Sequence, residues 1–505
     1  MSNAITNTIK RGPIVAALLI GAFVAILSQT LLNVALPKMM EDLNIGPNTI
    51  QWLSTGYMLV NGVVIPVTAF LIARFSTRQL YMVAMGLFTI GTIVAAVAPG
   101  FELVLTGRLI QAVGAGIMMP LMSVVFLTIF PIEQRGKAMG MMGLAMIFAP
   151  AVGPTLSGWI VEHQSWRVLF YIILPIAVFS LIYGAFAMKN VTRNSKPKLD
   201  TLGVVFSTLG FGGLLYGFSD AGNDGWGSTR VIVSLVVGAV ALILFVWREL
   251  VIKSPILEMR VFKYGMYSLT TVINVVVTMA MFSAMILMPI YLQTIRGFTP
   301  LEAGLLLLPG AILMGIMSPI TGMIFDKVGA RWLAVVGLLI TAFTTFELSR
   351  LALDSSYGHV IFLYTLRMFG MSMLMMPIQT AGMNQLPQTL NSHGSAMSQT
   401  LRNVAGALGT ALLVTIMSNK AAAHGKELVL AAKIDPQDAA NAAQMAEIGK
   451  QATLYGIQHA FVVATWITVL ALVLAFFIKK VKPHHETVKS LDAEGKKEAA
   501  AQPAR

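Results

Sequence analysis

Apolar residues run along this chain in long blocks, not in the alternating or one-face-in-two patterns of half-buried strands and amphipathic helices. Fourteen blocks reach the roughly 20 residues that a helix needs to cross a bilayer. They span 13–36, 50–73, 79–98, 103–130, 137–161, 167–188, 202–220, 230–250, 267–293, 301–325, 331–351, 358–382, 394–417 and 456–479. Most polar connections between them are short. Helices apolar on every side belong in lipid or deep in a protein core. The pattern predicts an all-α polytopic membrane protein of 14 transmembrane helices, and an even count puts both ends on one side.

Charge decides which side. If the termini are cytoplasmic, the inner segments hold Lys10, Arg11, Arg74, Arg78, Arg135, Lys137, Lys189, Arg193, Lys196, Lys198, Arg248, Lys253, Arg260, Lys263, Lys327 and Arg331. The short outer loops hold few: Lys38, Arg167, Arg230, Arg296 and Arg350. Basic residues collect on the cytoplasmic side of membrane proteins, so the termini are expected inside. Composition agrees: 56% of residues are apolar and 11% charged, against about 25% charged in a soluble domain. The net charge of +13 then reflects topology, not nucleic-acid binding. The first apolar block lacks a small-residue cleavage pattern and is read as a retained helix. With no cysteine, disulfides, thiol catalysis and cysteine metal sites are excluded.

Two segments break the rhythm. The polar, Ala-rich stretch 418–455 lies outside on this topology and is expected to be partly helical, with a helix start at Asp435 and Pro436. The basic stretch 189–201 separates the first six helices from the rest. The expected organisation is a cytoplasmic N-terminus at 1–12, a six-helix bundle at 13–188 and a cytoplasmic linker at 189–201. Two inserted helices at 202–250, a second six-helix bundle at 267–479 and a charged cytoplasmic tail at 480–505 follow.

Secondary transporters are commonly built from repeated helical bundles, and traces of a repeat are present. After the tenth block comes G-x-x-x-D-x-x-G-x-R, with Gly322, Asp326, Gly329 and Arg331. After the second comes a decayed version that keeps Arg74 and Arg78 but has Ala73 and Ser76 where aspartate and glycine would stand. An arginine follows inside each fourth helix, Arg108 and Arg367. At these residues the sequence resembles the major facilitator superfamily. Arg108 and Gln111 in TGRLIQAVGAG, and Ala149 to Trp159 in APAVGPTLSGW, are similar to the fourth- and fifth-helix motifs of drug/proton antiporters. The stretches at 30–37, 165–175 and 401–413 resemble the fourteen-helix branch, most closely its lincomycin-resistance type. The resemblance covers about 15–480. It implies two six-helix bundles plus two inserted helices, a bacterial plasma-membrane location, and export of small amphipathic substrates against a proton gradient, without other cofactors. Many relatives carry a first-helix aspartate where this chain has Ser28, which leaves the proton site and the substrate charge open.

The candidate site residues follow from polarity inside apolar blocks, where an unpaired charge costs a few kcal/mol or more. Arg108, Gln111 and Arg367 either line a central cavity and gate proton or substrate binding, or bond to helix carbonyls and hold the bundles together. Arg402 has the same two readings. Ser28, Gln29, Asn33, Asn274 and Gln379 are candidate substrate contacts or helix bridges, and Trp52 and Tyr57 are cavity wall or interfacial anchors. Pro150, Gly153, Pro154 and Gly158 read as a hinge, because proline removes an amide donor and kinks a helix; Gly143 and Gly158 permit close helix contact. Gly322, Asp326, Gly329 and Arg331, with Arg74 and Arg78, read as cytoplasmic gating loops in which Asp326 and Arg331 form a charge clasp. Acids are scarce inside the blocks. Glu162 beside His163 is the candidate proton carrier, with Asp220 and Glu347 as others; pairing with Arg350 three residues on is the other reading of Glu347. The 32 methionines suit either a promiscuous apolar site or core filling. No phosphate-binding loop, hydrolase elbow or metal-ligand cluster occurs, which argues against ATP drive, an enzyme or a metal site. The expectation is a proton-coupled drug exporter working by alternating access; an exporter of one endogenous metabolite or lipid is the alternative.

Overall fold

The computed structural model describes residues 11–192, 199–252, 255–432 and 441–479. Lys10, Arg193, Lys196, Lys198, Lys253, Asp435 and Pro436 and the tail 480–505 lie outside the described residues. Fourteen helices are long and apolar enough to span a membrane, and no strand occurs among the described residues. They are α1 (Arg11–Leu43), α2 (Trp52–Arg74), α3 (Thr77–Ala96), α4 (Phe101–Ile129), α5 (Arg135–His163), α6 (Arg167–Ala187), α7 (Thr201–Asp224) and α8 (Thr229–Val251). After these come α9 (Gly265–Ile290), α10 (Pro300–Val328), α11 (Ala330–Leu348), α12 in two pieces (Tyr357–Ser372 and Met375–Met383), α13 (Asn391–Ala432) and α14 (Ala442–Ala475). The face where α1 begins and α14 ends is called the terminal face below.

Several ends differ from the sequence expectation for local reasons. Helix α1 passes through Pro37 and runs to Leu43, where Lys38 pairs with Glu41 at 3.0 Å one turn on; such i,i+3 pairs support a helix end. Helix α9 gains a π turn, Tyr291–Ile295, just after Pro289. Helix α12 breaks at Met373 and Leu374. Pro377 follows, and its missing N–H leaves the Met373 carbonyl without its helical donor. Polar 418–455 is partly helical, as expected, and its helices are long. Helices α13, at 42 residues, and α14, at 34, are about 63 Å and 51 Å long at 1.5 Å per residue. Both exceed the ~30 Å hydrocarbon core, so the stretch is mostly two helical extensions beyond the opposite face, not a loop. They pack together closely enough that a Cβ on Gly456 would lie 3.1 Å from Ala421. A groove of about 530 Å³ between them is lined by residues such as Val429, Leu430, Met445 and Ile448.

The core falls into two large apolar clusters. One is built mainly from α1 to α6, with Met376 of α12, and the other mainly from α9 to α14. Helices α5 and α10 join them. Gly136 on α5 and Gly322 on α10 meet backbone to backbone, and a Cβ on Gly140 would be 2.6 Å from the Ser318 carbonyl. Only glycine permits that approach. The inserted α7 and α8 lie across the other seam, between α2 and α13. Near the terminal face Ile65 and Ala69 of α2 share a cluster with Ala396 and Met397 of α13, Phe211 of α7 and Phe245 of α8. Toward the opposite face α7 reaches both partners: Thr55 of α2 lies 3.4 Å from Ser219, and Trp226, just past α7, donates to Thr415 of α13 at 2.7 Å.

Candidate functional site

Arg108 is fully buried inside the first bundle. One of its terminal nitrogens, Nη1, donates to Ser28 Oγ on α1 at 3.1 Å and to Gln111 Oε1 on α4 at 2.8 Å. Gln111 in turn donates to Thr92 on α3 at 2.7 Å. The guanidinium stacks over the Tyr57 ring of α2 at 4.2 Å, a cation–π contact that strengthens when water is excluded. One arginine thereby links the first four helices. Nε and Nη2 are buried with no hydrogen-bond partner. No carboxylate among the described residues forms an ion pair with it; its side-chain acceptors are the Ser28 hydroxyl and the Gln111 amide oxygen.

Arg367 repeats the arrangement in the second bundle. It is fully buried, donates from Nη2 to the Ala280 carbonyl at 2.7 Å and Ser283 Oγ at 3.4 Å on α9, and from Nε to Thr345 on α11 at 3.2 Å. Each fourth helix thus sends a guanidinium to a serine on its bundle's first helix and reaches a threonine on its third, through Gln111 in one case and directly in the other. The serines precede their arginines by 80 and 84 residues. Thr92, Thr345 and Ser283 were missed in the sequence because single hydroxyls in apolar helices are common; the near-equal spacing was the available signal. Neither arginine faces an open cavity here. Both are bonded within their own bundles.

The remaining polar candidates separate. Gln379 accepts from Arg402 of α13 at 3.4 Å, and Asn33, exposed on α1, accepts from Ser54 at 2.7 Å. Asn274 is buried on α9 and Gln29 half-buried on α1. Glu162 and His163 are exposed at the end of α5, where His163 Nδ1 lies 2.9 Å from the Trp159 carbonyl. The structure does not bring this pair to Arg108, because α5 ends at the surface there. Glu347 bonds Arg350 at 3.5 Å, as the spacing allowed. Tyr57 is buried while Trp52 is 41% exposed, so only the tyrosine belongs to the interior.

The hinge motif lies within an unbroken α5. Thr30 of α1 donates to the Ala149 carbonyl at 3.3 Å, and Ser157 to the Leu31 carbonyl at 2.6 Å. Gly153 lies against Thr30, whose Cβ would be 2.8 Å from an added Cβ. Gly158 meets Leu301 of α10 only at an ordinary 3.7 Å. Close contact is therefore required at Gly153 and at Gly143, which presses on Ser318, and not at Gly158. The segment from Pro150 and Pro154 onward is tied to α1 on one side and rests on α10 on the other.

The expected clasp between Asp326 and Arg331 does not form. Asp326 instead crosses to α5, where Oδ1 accepts from the Gly136 amide at 2.8 Å and Oδ2 from the Lys137 amide at 3.0 Å. These amides open a 29-residue helix, and such ends carry free N–H groups and a partial positive charge. A carboxylate is better satisfied there than by an arginine in water. Arg331 is exposed and lies 5.7 Å over Trp332. Gly329 has φ +88°, a left-handed conformation that turns α10 into α11 and favours glycine. In the earlier loop, Arg74 and Arg78 are exposed, and Ser76 caps α3 in a capping box with Gln79. Nearby, Arg135 donates to Asn384, which follows α12, at 3.1 Å and to the Leu127 carbonyl at 2.8 Å. It was counted only as a loop charge in the sequence, yet it ties the two bundles together. No group of metal-binding side chains occurs among the described residues.

The comparisons with known proteins agree with this architecture. The chain is 50% identical over 490 residues to the "Uncharacterized MFS-type transporter YhcA" of Bacillus subtilis (strain 168), covering 92% of each. It is 44% identical to the lincomycin resistance protein LmrB of the same organism, over 94% of this chain and 97% of that one. Among solved structures, the human organic anion transporter MFSD10 (TETRAN) superposes with a TM-score of 0.62 at 12% identity, over 92% of this chain and 99% of that one. At that identity the likeness shows the fold alone. The sequence profile of the Major Facilitator Superfamily matches residues 18–410. The chain belongs to the major facilitator superfamily: it is a multi-pass membrane transporter, not an enzyme.

Proposed function

We propose that this transporter exports amphipathic drugs or antibiotics across the bacterial plasma membrane by proton-coupled alternating access, with both termini cytoplasmic. The observation that carries the reading is the pair of matched arginine networks. Each makes its bundle a rigid body, and the two bodies meet along α5–α10 through glycine contacts and the Asp326 latch. Two rigid bundles joined by a breakable contact are what rocking requires. The close relation to a lincomycin resistance protein supports an antibiotic-like substrate. Protons moving inward would supply the free energy, about 2.3 kcal/mol for each charge through 100 mV. Arg108, Gln111 and Arg367 keep the bundles rigid, Pro150 to Gly158 set the tilt of α5 against α1 and α10, and Asp326 with Gly322 and Gly329 closes the terminal face.

Flux in proteoliposomes under an imposed pH gradient tests this. A lincosamide and the permanent cation ethidium serve as probes. Uphill movement that collapses with a protonophore is the expected result. No gradient-driven movement of either refutes proton-coupled drug export and favours a single endogenous metabolite or lipid as cargo.

A further inference from the structure

Among the described residues only two acids are buried, Asp200 at 5% exposure and Glu249 at 1%. Both sit at the terminal-face end of the inserted helices. Asp200 is answered by Arg248, whose Nε donates to Oδ2 at 2.7 Å and Nη2 to Oδ1 at 2.6 Å. Glu249 is not. Its Oε2 accepts from the Leu257 amide at 3.0 Å, while Oε1 is buried with no hydrogen-bond partner. Arg248 precedes it on α8, but residues at i and i+1 of a helix do not face each other, and its guanidinium is committed to α7.

Among the described residues no second cation pairs with it. On α7 stands Asp200. A Cβ on Gly203 would lie 2.6 Å from Asp200 Oδ2 and 2.7 Å from Glu249 Oε1, so the two carboxyl groups crowd one spot. In the connector after α8, the Glu258 amide donates to His393 Nδ1 of α13 at 3.1 Å, and the Glu258 carboxylate lies 3.6 Å from Arg260. His393 therefore presents a lone pair, not a positive charge, on that nitrogen. A buried ion without a partner costs several kcal/mol, and like charges packed together rarely both ionise.

We propose that Glu249 is a proton-binding site of this transporter, holding a proton on the oxygen that faces Asp200. The connector from 255 to 258 and the start of α13 seal it. When α13 shifts, that seal opens, water reaches the carboxyl and the proton leaves at the terminal face. Proton occupancy stands on the geometry alone; its part in transport rests on the proton-coupled reading above.

The test uses the full-length chain in proteoliposomes. Dicyclohexylcarbodiimide modifies protonated carboxyls in apolar sites, and peptide mass spectrometry locates the adduct. At neutral pH Glu249 should carry it while exposed Glu102 and Glu427 do not, and Glu249→Gln should remove an infrared band of a protonated carboxyl. An unlabelled Glu249, or a band that survives the substitution, overturns the site. For its role, Glu249→Gln should abolish uphill flux driven by a pH gradient and keep downhill flux; unchanged uphill flux overturns that role. If the unmodified protein shows no gradient-driven flux, proton coupling fails while labelling still decides the proton site.

Discussion

Removing one charge from Asp326 should open the terminal face. The carboxylate accepts two amides at the start of α5, at 2.8 and 3.0 Å. A hydrogen bond to a charged group contributes about 1.5–3 kcal/mol when well buried, and exposure reduces that here. Asp326→Asn keeps one neutral acceptor and turns an NH₂ group toward an N–H donor. The loss is on the order of 2 kcal/mol, which is about thirty-fold in the balance between closed and open states. The chain has no cysteine, so one introduced thiol gives a clean report. Ser318, at 2% exposure and facing Gly140 and Gly143, becomes reachable by water only if α5 and α10 part. Labelling of Ser318→Cys by a membrane-impermeant maleimide from the terminal face should therefore quicken by about thirty-fold in the Asp326→Asn background. An unchanged labelling rate would refute the latch. A faster rate in Arg331→Gln, with none in Asp326→Asn, would restore the arginine clasp that the geometry rejects.

Three further outcomes are expected. Ser28→Asp places a carboxylate beside the buried Arg108, whose Nε and Nη2 are without partners. It should raise the thermal midpoint in detergent and shift relative flux toward ethidium; an unchanged ratio of ethidium to lincosamide flux would separate Arg108 from charge selection. Gly153→Ala forces a methyl group to 2.8 Å from Thr30 Cβ, and overpacking of this kind costs about 1–3 kcal/mol, read as a lower thermal midpoint. Asp200, bonded to Arg248, is held below the usual carboxylate range. Its contribution to stability is therefore present above the unfolded value of about 4, and it is lost as pH falls through the lower folded value. Asp200→Asn should lower the thermal midpoint at neutral pH and match the parent protein in strong acid, checked by scanning fluorimetry across pH.

Much of this protein follows from the sequence because a bilayer tolerates so few solutions. Blocks of about 20 apolar residues must become helices to satisfy their own backbone groups, so the fourteen spans were legible from hydropathy alone. Arg108, Arg367 and the Gly322 to Arg331 loop also stood out, since charge in an apolar block or a fixed glycine spacing is conspicuous. Partners were not legible. A sequence shows that Asp326 is acidic and Arg331 basic, but the nearest opposite charge in the chain is not the nearest donor in space. Glu249 illustrates the same limit from the other side. As the second residue of an Arg-Glu pair at a helix end it reads as a solvated loop charge, and only the return of the connector over it and the turning of Arg248 toward Asp200 leave it buried and alone.

The sequence by itself determined how many times the chain crosses, where polar groups interrupt the apolar blocks and which family pattern they resemble, because those depend on local composition and spacing. The tertiary structure decided which helices touch, that α7 and α8 cover the seam between α2 and α13, and which buried charges find partners. These depend on contacts between residues far apart in the chain, whose geometry no local pattern encodes.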